Sequence, residues 1–118
     1  MTEALLRSGQ ARERLAEEDL HVPHLIDSAV TNALRGLVLG HRLDAKLAEQ
    51  ALAGLQRAEL TRHPAASLTS KVWQLRTNLS AYDALYVALA ERLDCPLLTS
   101  DARIARAAGP RCAIEVLG

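Results

Sequence analysis

Between Ser80 and Leu117 the chain gives helix, strand, helix and strand signals in quick succession, and this order constrains its fold more than any other feature. Asn78-Leu-Ser80 offers capping residues for a helix from about Ala81 to Leu93, amphipathic in pattern, with Asp83 in its first turn. Pro96-Leu-Leu-Thr99 is too short for a helix and fits a buried strand. Asp101 to Ala108 reads as a short helix stopped by Gly109-Pro110, and Ala113 to Leu117 as a last strand. Strands joined through single helices need crossover connections, so this half predicts an α/β fold with a parallel sheet.

The preceding half is mostly helical in pattern. Thr2 to Glu17 reads as a helix broken near Ser8-Gly9. Leu20-His-Val-Pro23 is a short extended entry, because Pro23 biases Val22 away from helix. Ile26, Val30, Ala33, Leu34, Leu37 and Val38 recur at three- and four-residue spacing, with Gly40 as the expected stop. Leu43, Leu47, Ala51, Leu52 and Leu55 mark the next helix, and the short connection predicts an antiparallel helix pair. Ala58 to Arg62 alternates as a short strand that Pro64 ends, and a helix runs from about Ala65 to Thr77. No repeat or linker interrupts the 118 residues, which read as one domain, 1–118, able to bury one modest core.

Charge excludes one class of partner contact. Fourteen Lys plus Arg balance fourteen Asp plus Glu, so there is no bulk-basic footprint for nucleic acid. A locally acidic site ringed by basic residues is still compatible with that balance. Cys95 and Cys112 have neither CxxC spacing nor a nearby His, so they read as packed side chains and not zinc ligands. His21, His24, His41 and His63 show no metal-ligand spacing and read as surface or loop residues. No leader-like segment and no apolar run long enough for a membrane span is visible, so the expected location is cytoplasmic, with no membrane partner.

Open parallel sheets bind ligands at the carboxyl ends of their strands. Asp101 falls there, directly after Leu97-Leu-Thr99-Ser100, and the two hydroxyls stand ready to orient a carboxylate or a metal-bound water. The plainer alternative is that Ser100 or Asp101 simply caps the helix that follows. Asp83 has the same two readings, since an acid in a first helical turn favours the helix dipole without any catalytic role. Arg103 and Arg106 lie within reach of a phosphate from the helix after Asp101, or form a solvated face. Tyr82 and Tyr86, four apart, more often pack than stack on bases.

Taken together, Ser80-x-Tyr82-Asp83-Ala84-x-Tyr86-x-Ala88-Leu89-Ala90 and Pro96-Leu-Leu-Thr99-x-Asp101-x-Arg103-x-Ala105 resemble the PIN-domain family, specifically its VapC-type toxin ribonucleases. Val22-Pro23 leading through Asp27 to Ala33-Leu34-Arg35 is similar to another block of that family. The resemblance implies a three-layer α/β/α domain with a short, mostly parallel sheet. It also implies Mg²⁺- or Mn²⁺-dependent hydrolysis of RNA phosphodiesters, a small cognate antitoxin and a homodimer. By this resemblance Asp83 and Asp101 are metal ligands and catalytic residues, Thr99 is a supporting hydroxyl, and Arg103 and Arg106 are RNA contacts.

Two departures stand out. The family pattern opens with a central hydrophobic strand ending in an acid, and the chain begins in what reads as the following helix, so it looks N-terminally truncated. The next acidic position of the pattern is occupied by Ala29. Asp27, two residues earlier, is turned by about 200° around a helix and is no evident substitute. A magnesium site with two carboxylates where the family gathers about four holds its ion weakly. The alternative expectation is therefore an inactive remnant that serves as an antitoxin-binding or dimerisation module.

Overall fold

The computed structural model describes residues 20–116. The helix expected over 2–17 lies outside them. Among the described residues there are four short strands, β1 (Leu20–Pro23), β2 (Leu60–His63), β3 (Leu97–Thr99) and β4 (Ile114–Val116). Five α-helices accompany them: α1 (Leu25–Leu39), α2 (Ala45–Arg57), α3 (Thr69–Gln74), α4 (Ala81–Leu93) and α5 (Ala102–Arg106).

The strands form two separate parallel pairs. Leu20 lies opposite Leu60 and Pro23 opposite His63 in β1–β2. Leu97 lies opposite Ile114 and Thr99 opposite Val116 in β3–β4. No ladder joins β1 to β3 among the described residues. Parallel pairing is as the element order predicted, but Leu20–Pro23 is a strand and not merely an extended entry, because β2 satisfies its backbone groups. His21 and His63 consequently sit in strands and not in loops.

One helix ties the two pairs together. α4 packs against both β1 and β3, and against α3 and the 3-10 turn Ala66–Leu68. Its seven consecutive residues Ala84 to Ala90 are all buried. The sequence suggested one apolar face; α4 has two. Ala84, Tyr86, Val87 and Ala90 join the main core with Val22, Ile26, Val30, Leu34, Leu97 and Ile104. Leu85, Ala88 and Leu89 pack with Leu68 in a second cluster. A helix that is apolar all round is one enclosed by other elements. The alanines permit close approach on the sheet side, and each fully buried Val or Leu contributes about 1.5–3 kcal/mol.

The helix ends follow their sequence signals with two exceptions. Ser80 caps α4 by accepting a hydrogen bond from the Asp83 backbone N–H at 3.1 Å, and Asp44 caps α2 through the Lys46 N–H at 3.2 Å. Gly40 ends α1 at an ordinary φ of −84°, and the left-handed residue is His41, at φ 57°. The helix expected over 65–77 is instead a 3-10 turn followed by the six-residue α3. There Thr69 Oγ1 bonds back to the Ala66 carbonyl at 3.1 Å, competing with regular helix. After α5, Gly109 turns the chain at φ 110°, where a side chain would meet Leu75 Cδ2 at 2.8 Å.

Candidate functional site at the carboxyl edge of the strands

The topology sets three aspartates near the carboxyl ends of β1 and β3. Asp27 lies in the first turn of α1, immediately after β1 ends at Pro23. Asp101 follows β3. α4 enters β3 through the short turn Asp94 to Pro96 and packs back along that strand, so its first turn, carrying Asp83, returns to the carboxyl end of β3.

Each aspartate is held differently. Thr99 is fully buried, and its Oγ1 accepts the Asp101 N–H at 3.0 Å, which fixes the turn out of β3. Asp101 caps α5 by accepting the Arg103 N–H at 2.9 Å. The Arg103 guanidinium then closes on the same carboxylate, with Nε to Oδ1 at 3.0 Å and Nη2 to Oδ2 at 2.8 Å. The Arg103 side-chain hydrogen bonds, then its backbone N–H, hold the Asp101 carboxyl down to about 2. Asp101 is therefore both a helix cap and a firmly ionised carboxylate at the sheet edge. Arg103 bonds inward to it while staying largely exposed. Arg106 is exposed in the last turn of α5.

Asp27 is paired across the fold. Arg62, on β2, donates from Nε to Oδ2 and from Nη2 to Oδ1, both at 2.8 Å. The hydrogen bonds from Arg62 lower the Asp27 pKa, and Asp27 raises that of Arg62. Asp27 is thus held in a bidentate pair, as Asp101 is by Arg103, and Ala29, two residues further along α1, is half-buried.

Asp83 stands apart. It is half-buried, its backbone N–H is capped by Ser80, and no hydrogen bond or ion pair reaches its carboxylate from the described residues. Tyr86, one turn further along α4, is 6% exposed and its hydroxyl has no hydrogen-bond partner among the described residues. Burial first, then the Asp83 and Asp27 carboxylates, push the Tyr86 pKa up to about 12, so the phenol stays neutral. That shared influence ties Asp27 and Asp83 to the same locality. Among the described residues no three His, Cys, Asp or Glu side chains gather closely enough to hold an ion by themselves.

Sequence reading missed Arg62 and the burial of the Tyr86 hydroxyl. Arg62 lies 35 positions from Asp27, and only the β1–β2 register brings them together. The cysteines behave as expected, half-buried and unbridged, with burial raising both thiols and lowering their reactivity.

The described residues thus define the class of small α/β domains with parallel strand pairs and aspartates near strand ends. Comparison with known proteins narrows it. The PIN domain matches residues 6–110. The chain is 47% identical over 114 residues to Ribonuclease VapC9 of Mycobacterium tuberculosis, covering 97% of this chain and 90% of that protein. Ribonuclease VapC1 of the same organism is 44% identical over 107 residues, 90% of this chain and 80% of the relative. Ribonuclease VapC3 is 39% identical over 101 residues, 86% and 74% respectively. The chain belongs to the PIN-domain family and, within it, to the VapC ribonucleases. No helix among the described residues is long and apolar enough to cross a membrane.

Proposed function

We propose that this protein is a metal-dependent endoribonuclease toxin of a toxin–antitoxin pair, hydrolysing RNA phosphodiesters in the cytoplasm, and that a small cognate antitoxin covers its acidic edge. The supporting observation is the contrast at that edge: Asp83 keeps an uncommitted carboxylate, while Arg103 holds Asp101 ionised.

The donor set fits Mg²⁺ or Mn²⁺ in a minimal way. Magnesium is often bound through one or two carboxylates, with waters and substrate phosphate completing its octahedron. Asp83 and Asp101 would hold the ion, which would supply water activation and charge stabilisation at the phosphate. Thr99, which accepts the Asp101 N–H, would orient that carboxylate through its backbone. Arg103 keeps Asp101 deprotonated, and Arg103 and Arg106 present positive charge where a phosphate arrives. A second copy of the chain is the expected partner in a homodimer.

The test is cleavage of a structured RNA by purified protein with Mg²⁺ or Mn²⁺. Asp83→Asn is expected to lower the rate on the order of 10²–10³. Equal rates from the two proteins would assign the activity elsewhere and sink the reading. Ala29 favours a second reading, a non-cleaving module that still binds the antitoxin. Retained antitoxin binding without any cleavage would select it.

A further inference from the structure

The β1–β2 register creates a histidine pair that the sequence spacing hides. His21 lies opposite Thr61, and His63 is two residues further along the same strand. A period of two puts Thr61 and His63 on one face, so the His21 and His63 side chains share it. Nδ1 of His21 and Nε2 of His63 are 3.0 Å apart, with ring centroids 5.2 Å apart and planes tilted by 43°. His21 is exposed and His63 half-buried, while the backbone around them is fixed by the parallel ladder and by the His24 N–H bonded to the His63 carbonyl at 2.9 Å.

Two nitrogens bound to one metal at about 2.0–2.1 Å, at right-angle to tetrahedral openings, lie about 2.8–3.4 Å apart. The His21 and His63 nitrogens already have that separation. As it stands they share one proton in an N–H···N bond. Holding an ion instead would require each ring to turn about its Cβ–Cγ bond so that both lone pairs converge, with the second nitrogen of each ring carrying the proton. Imidazole pairs suit Zn²⁺, Ni²⁺ and Cu²⁺ and not the oxygen-seeking Mg²⁺.

We propose that His21 and His63 form a two-histidine site for a transition-metal dication, completed by water, that clasps β1 to β2 independently of the carboxylate edge. Bound metal would stabilise the fold by mass action, since the unfolded chain does not hold the two rings together.

The experiment uses untagged full chain and Zn²⁺ alone. Calorimetry should show one saturable site, and NMR should show the ring signals of His21 and His63 moving together while those of His24 and His41 stay put. His63→Asn should weaken binding by at least about tenfold, and His41→Asn should leave it unchanged. Uniform shifts of all four histidines, undiminished binding in His63→Asn, or no saturation would overturn the proposal. The ring signals of the unmodified chain decide the matter even if the variant folds poorly.

Discussion

The two halves of the molecule, each built on one strand pair, position an aspartate by different means. β1–β2 and β3–β4 are each two parallel strands leaning on α4, and each ends beside an aspartate gripped by arginine. In the β3–β4 half the arginine is two residues from its aspartate, and the clamp forms within one turn. In the β1–β2 half it comes from the neighbouring strand, 35 residues away. The local clamp depends only on the turn after β3. The distant one exists only while β1 and β2 are in register, so it reports on the fold. The comparison leaves Asp83, on the helix between them, as the carboxylate without a clamp.

The sharpest way to break this comparison is to test whether the halves unfold as one. Ile26 and Ile104 are each 2% exposed, on α1 and α5, and share one core through α4. Ile26→Ala and Ile104→Ala should each cost about 2–5 kcal/mol in urea unfolding, with a single transition retained. A second transition in either variant would show that α4 does not couple the halves. Gly109→Ala should cost about 1–2 kcal/mol or more, because its left-handed φ and the approach to Leu75 both resist a side chain. An unchanged midpoint would mean that the β3–β4 half relaxes freely at that turn.

Catalysis separates the halves next. If the β1–β2 half lacks only an acid, Ala29→Glu should raise Mg²⁺-dependent RNA cleavage by about tenfold or more. No gain in a well-folded variant would show that position 29 is not what limits the site. The smallest effect concerns the local clamp. Arg103→Ala should let the Asp101 carboxyl titrate back toward its usual value of 3.8, from about 2, read by NMR of the carboxyl carbon. Asp101 has a depressed folded pKa, so the stability it contributes is present above about pH 4 and lost as pH falls toward about 2. That acid-side loss should shrink in Arg103→Ala, and an identical acid profile would remove Arg103 as its cause.

Much of this was legible in residue order. The caps at Ser80 and Asp101, the periodic α1 and α2, and the parallel β3–β4 crossover all rest on interactions within a few residues, which sequence spacing records directly. So does the Thr99–Asp101 turn. The motifs around Asp83 and Asp101 identified the family, and Ala29 was visible as a departure. What needed the tertiary structure was every relation between distant strands. The register of β1 on β2 set Arg62 against Asp27 and His21 against His63. The enclosure of α4 on both sides buried Tyr86 and made a helix that looked one-faced into the centre of the core. Local hydrogen bonds are encoded by spacing, whereas register and enclosure depend on which apolar surfaces meet, and only the assembled fold decides that.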